Sequence, residues 1–128
     1  MIIKEINVNE FGKFSGEKKS FKFNKDINVI FGKNEAGKTT LYNLIYSVLY
    51  GFSPANIEKH PYGSWKNSSI DFNAFIDDDG VEGIIERKLT TTAKSHYFSG
   101  DKKINLKNES IPPCKHISKN VYKGLYTL

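Results

Sequence analysis

Arginine is all but missing from this chain. Arg87 is its single example among nineteen basic residues, which argues against enzymes that close an arginine-rich lid over a phosphoryl donor and acceptor. Cysteine is equally scarce. Cys114 stands alone, so no internal disulfide can form, and His60, His96 and His116 show no metal-ligand spacing with it. No stretch approaches the roughly 20 apolar residues that span a bilayer, and MIIKEINVNEF has neither the basic start nor the long apolar run of a secretory signal. A reducing cytoplasm, with no membrane as partner, is the setting these absences imply. Internal repeats and low-complexity tracts are absent as well.

What is present suits one folded domain. A chain of 128 residues can bury one modest core, and 38% apolar residues with nine Phe and seven Tyr are enough to fold it. Charge is unevenly spread: residues 1–86 hold ten Lys/Arg against twelve Asp/Glu, and residues 87–128 hold nine against two. A basic C-terminal third is either a nucleic-acid footprint, favoured by counterion release, or a solubilising surface.

IIKEINV (Ile2 to Val8) and the alternating SFKFN around Phe21 and Phe23 read as short strands, and EFGKFSGEKKS between them as a loop or wide hairpin turn. Asn24-Lys25-Asp26 offers a turn into INVIF (Ile27 to Phe31), a β-branched run short enough for a buried strand. Leu41, Leu44, Ile45, Val48, Leu49 and Phe52 then form one apolar stripe at helical spacing, in a helix expected from Lys38 and ended by Gly51 and Pro54. Residues 53–69 read as an ordered loop anchored by Tyr62 and Trp65. Ile70, Phe72, Ala74 and Ile76 share one face of a strand, Asp77-Asp78-Asp79-Gly80 turns the chain, and VEGIIERKL returns as its hairpin partner. A second hairpin is expected about Ser99-Gly100-Asp101. Pro112-Pro113 breaks the chain before a short helix over 116–126.

Between the INVIF strand and that helix, Gly32 to Thr39 matches G-x-x-x-x-G-K-[ST]. Glycines at both ends let the backbone curl until successive N–H groups point inward, an anion nest at a helix N-terminus. In such a loop Lys38 reaches the β and γ phosphates of ATP and the Thr39 hydroxyl binds Mg²⁺, with Thr40 placed for an α-phosphate contact. An accidental glycine-rich turn would lack this strand-before, helix-after context.

Hydrolysis needs more than a cradle: an acidic residue at a second strand end for the metal, and a group that orients water. FNAFIDD (Phe72 to Asp78) superficially offers the acid. Asn73 interrupts its apolar run, however, and the chain returns at once without the crossover helix that a parallel strand requires. Asp77-x-x-Gly80 as a GTPase motif lacks a following base-reading N-K-x-D, and as a calcium loop it has glycine at the wrong position. The sequence therefore supplies no catalytic residue.

Three stretches together resemble the N-terminal ATP-binding lobe of the SMC/RecN/RecF branch of ABC-type ATPases, and especially its large bacterial YhaN-like AAA members. They are residues 1–52, HPYGSW, and the hairpin ending IIERKL. The resemblance implies an α/β P-loop NTPase fold: an ABC-ATPase-like lobe I with a mixed sheet, a P-loop helix and antiparallel hairpins. It implies that Gly32, Asn34, Glu35, Ala36, Gly37, Lys38 and Thr39 wrap the phosphates, with ATP and Mg²⁺ as cofactors. It also implies that Lys13 approaches the nucleotide from the Phe-Gly-Lys-Phe turn, an exposed turn lysine being the competing reading. In such ATPases a signature motif from a second protomer closes the site, and the catalytic acids lie in a C-terminal half. No LSGG-like segment and no apolar strand ending in Asp-Glu occurs here. Residues 1–128 are thus expected to be one nucleotide-binding lobe of a longer ATPase, inactive by itself and homodimeric in the full protein, with DNA as a candidate partner. A nucleic-acid-binding module with a regulatory nucleotide site, or a small P-loop kinase, are the alternatives.

Overall fold

A computed structural model describes residues 2–12, 14–22, 35–63 and 69–114. Its centre is a six-stranded sheet of order β2-β1-β3-β4-β5-β6, antiparallel at every pairing. The strands are β1 (Ile2–Phe11), β2 (Phe14–Lys22), β3 (Ile70–Asp78), β4 (Val81–Leu89), β5 (Ala93–Ser99) and β6 (Lys102–Asn105); helix α1 (Glu35–Tyr50) falls between β2 and β3 in the chain. The expected INVIF strand, the 116–126 helix and Trp65 lie outside the described residues. Any parallel part of the expected mixed sheet would have to come from there.

Alternation explains which face of the sheet is buried. Ile6 and Val8 of β1, Ile70, Phe72, Ala74 and Ile76 of β3, and Ile85 and Leu89 of β4 point to one side, where they share a core with Leu41, Leu44, Val48 and Leu49 of α1. Ile45, at the edge of the expected helical stripe, is only partly buried. The opposite face carries a polar row. Ser20 Oγ donates to Asn7 Oδ1 at 2.7 Å, and Asn7 Nδ2 donates to Asn73 Oδ1 at 3.1 Å. Asn73 thus interrupts the apolar run because it faces away from the core, as a hairpin strand allows.

Both expected hairpins form. Asp79 and Gly80 take φ of 52° and 87°, the two-residue turn that matches strand twist, and Gly80 N donates to Asp77 Oδ1 at 2.8 Å. The acid once open to a metal reading is therefore a turn acceptor, and no cluster of acidic, His or Cys side chains fit for a metal occurs among the described residues. Gly100, with φ of 60°, turns β5 into β6.

Two expectations are corrected. The segment 10–20, read as a loop, is mostly strand: Phe11 pairs with Phe14, so only Gly12 and Lys13 separate β1 from β2. Its lysines and serines misled because β2 is the outermost of the described strands, and edge strands tolerate charged residues, which block pairing with other chains. Helix α1 begins at Glu35, three residues before Lys38, since Glu35 and Ala36 are good helix formers that precede the apolar stripe. No helix among the described residues is long and apolar enough to cross a membrane.

Candidate nucleotide-binding site

The start of α1 places half of the glycine-rich motif. Lys13, Gly32 and Asn34 lie outside the described residues, and nothing is described of the side chains of Glu35, Ala36, Lys38 and Thr39. The backbone from Glu35 through Gly37, Lys38 and Thr39 is the opening of the helix. The first N–H groups of any helix lack intrahelical partners and its dipole is positive there, an end that favours anions. Thr40 follows, its side chain buried at 7% exposure.

The far end of α1 is fastened to the sheet. Gly51 N donates to Ser47 O at 3.0 Å with φ of 88°, a left-handed stop. Arg87 Nε donates to Val48 O at 3.1 Å, and Ile111 N to Leu49 O at 2.9 Å. Arg87 further donates from Nη1 to Ser95 Oγ at 3.0 Å and from Nη2 to Glu109 O at 2.8 Å. It is 1% exposed, and burial lowers its pKa to about 10, so it stays charged at neutral pH beside the negative end of the helix. Asn108 closes the same end from outside: Phe52 N donates to its Oδ1 at 2.7 Å and its Nδ2 donates to Phe52 O at 2.8 Å.

Beside the middle of α1, at Asn43, sits the loop that carries Tyr62. Its ring stacks on Phe11 with centroids 4.9 Å apart and planes within 6°. Gly12 N donates to Tyr62 O at 2.7 Å, and Asn43 Nδ2 donates to the Tyr62 hydroxyl at 3.2 Å. His60 Nδ1 accepts from Tyr62 N at 3.0 Å and packs edge-on against Phe11, Phe52 and Tyr62. Burial lowers the His60 pKa. A cleft of about 130 Å³ opens here, lined by Tyr42, Asn43, Tyr46, His60 and Tyr62 among others.

Tyr62 acts as the anchor expected of it. Arg87, Asn43, Asn108 and His60 were not legible as structural ties. A faint signal existed for Arg87: it takes an inward position in the alternation Gly83, Ile85, Arg87, Leu89, where a charge needs buried partners.

Comparison with known proteins agrees with this architecture. A solved structure from work on ATP-driven dimerization and DNA stimulated activation of SMC ATPases superposes with a TM-score of 0.59 at 20% identity, covering 81% of this chain and 72% of that one. The uncharacterized protein YhaN of Bacillus subtilis is 30% identical over 102 residues, 75% of this chain and 10% of that protein. The DNA double-strand break repair Rad50 ATPase of Archaeoglobus fulgidus is 28% identical over 88 residues, 69% of this chain and 10% of that protein. The chain thus spans about a tenth of the length of these curated relatives.

An antiparallel sheet backed by a helix that opens on a G-x-x-x-x-G-K-[ST] loop defines an ABC-type ATPase lobe of the SMC/Rad50 kind. The chain belongs to the AAA_23 family of AAA domains, whose profile matches residues 5–121.

Proposed function

We propose that this lobe binds Mg-ATP as the N-terminal half of an SMC/Rad50-like ATPase site serving DNA repair or chromosome maintenance. The observation that carries the reading is the complete phosphate motif at Gly32 to Thr39 running into the N-terminus of a helix that the sheet fastens at its other end. In this reading Gly32, Asn34, Glu35, Ala36 and Gly37 line the phosphates, Lys38 neutralises the β and γ charges and Thr40 meets the α-phosphate. Thr39 is the residue that would hold Mg²⁺, which when bound screens the charge between β and γ oxygens. Hydrolysis requires acidic and signature residues from a C-terminal half and a second protomer; the ATP-driven dimerization attributed to SMC ATPases supports that arrangement.

Calorimetry on the wild-type chain should show Mg-ATP binding with little turnover, and Lys38→Ala should abolish it. No nucleotide-dependent heat at millimolar ATP would reject the reading. A small-molecule kinase is disfavoured further by the structure of its one arginine: Arg87 is buried under α1 and has no reach to a substrate lid. Nucleic-acid binding keeps one specific support. Lys103 and Phe98 sit together on the sheet face opposite the core, Lys103 Nζ 5.6 Å from the ring centroid.

A further inference from the structure

Among the described residues, nothing accepts the buried N–H of His60. The Nδ1 of its ring accepts the Tyr62 N–H at 3.0 Å, so the neutral imidazole carries its hydrogen on Nε2. The side chain is 8% exposed, and no acceptor meets that hydrogen. Folded proteins seldom leave a donor in this position, because the hydrogen bonds it gave to water go unreplaced. The space that can answer it is the cleft of about 130 Å³ that His60 lines with Tyr42, Asn43, Tyr46 and Tyr62, room for about four waters. With Nδ1 turned to the backbone, Nε2 is the polar atom His60 has left for that cleft. Tyr62 offers a second donor: its hydroxyl accepts from Asn43 at 3.2 Å, and its own hydrogen meets no acceptor among the described residues.

The lining carries no charged side chain, so the cleft is not built for a phosphate. Its rings and its two neutral donors suit a flat, uncharged heterocycle with acceptor nitrogens. Its place on α1 fits as well. Thr40, Asn43 and Ser47 fall at i, i+3 and i+7, so the cleft lies along the face of the helix on which Thr40 sits. At about 1.5 Å per residue, Asn43 and Ser47 are roughly 5 and 10 Å past Thr40 along the axis. A nucleotide whose α-phosphate meets Thr40 has its base within reach of this cleft. We propose that the His60–Tyr62 cleft is the base subsite of the nucleotide site, where the His60 Nε2–H and the Tyr62 hydroxyl donate to ring nitrogens of a purine. The proposal rests on the Mg-ATP reading above and adds to it a part that touches no phosphate.

The test compares Mg-ATP with Mg-tripolyphosphate, which has the phosphates and no base. Calorimetry should find the wild-type chain binding Mg-ATP more tightly of the two. His60→Asn keeps a side-chain oxygen to accept the Tyr62 N–H and has no atom at the place of Nε2. At pH 7.5 it should lower the affinity for Mg-ATP about five-fold, the worth of one such hydrogen bond, and leave that for Mg-tripolyphosphate unchanged. The nitrogen resonances of the histidine rings give a readout that needs no variant to fold: Mg-ATP should shift His60 Nε2, and Mg-tripolyphosphate should not. Equal wild-type affinity for the two ligands would overturn the proposal. So would an equal loss of both in His60→Asn, which is the mark of a purely structural role, or an Nε2 resonance that Mg-ATP does not move, which leaves only water in the cleft. A wild-type chain that binds neither ligand would instead bring down the nucleotide reading, and this proposal with it.

Discussion

His60 is 8% exposed and its imidazole accepts the Tyr62 N–H. Both facts favour the neutral ring, and burial places its folded pKa below the ordinary 6.5. A group whose folded pKa is depressed contributes stability that is full above its unfolded pKa and is lost as pH falls through the folded value. The chain should therefore lose thermal stability as pH drops below about 6.5, beginning in the loop that holds the β1–β2 turn. His60→Asn, whose side-chain oxygen can still accept from residue 62 without titrating, should flatten the midpoint between pH 7.5 and pH 5 relative to the wild type. Parallel acid slopes in the two proteins would show that His60 does not carry the effect.

At the scale of the element, α1 depends on what happens at its two ends. Its C-terminal carbonyls are answered by Gly51, Arg87 and Ile111. Arg87 is the costliest of these ties to remove, because Val48 O, Ser95 Oγ and Glu109 O would all lose a donor inside the fold. Arg87→Met should cost about 3 kcal/mol, read as a lowered urea midpoint at unchanged slope; Arg87→Lys, with no planar fork, should recover only part of it. A loss below 0.5 kcal/mol, the ordinary range of surface changes, would contradict the assignment. These ties mark what sequence could not reveal. The Asp79-Gly80 turn and the alternation of β3 were legible because each is decided within a few residues. The Arg87 partners lie 39, 22 and 8 residues away and need the assembled sheet. Strand β2 escaped because it is the outermost of the described strands, where residues need not look buried. In the site, the phosphate motif was readable as spacing; the Gly12–Tyr62–Asn43 linkage, built from a backbone amide, a ring and a hydroxyl, leaves no pattern in one sequence.

Among the described residues, the six strands separate one buried apolar face from one more exposed face, and the lysines of the C-terminal third are distributed between them by register. Residues paired across antiparallel strands share a face. Ser95 and Tyr97 face the core, so Lys94, His96 and Phe98 face outward, as do Lys88 opposite Lys94 and Lys103 opposite Phe98. Lys102 pairs with Ser99 and belongs to the other side. Asp71 opposite Lys88 and Glu86 opposite His96 reduce the positive field at the middle of the sheet, leaving Lys94 and Lys103 as outer cations, Lys103 beside the Phe98 ring. If this face meets duplex DNA, Lys94→Glu with Lys103→Glu should weaken binding and flatten the dependence of log K on log salt by about two units, one per lost phosphate contact. Lys102→Glu carries the same change of charge on the opposite side and should leave that slope near the wild-type value. Fluorescence anisotropy from low to moderate salt measures all three proteins. Equal loss in both variants would mean that net charge alone attracts DNA, and no binding by the wild type at low salt would remove nucleic acid from the functions of this lobe.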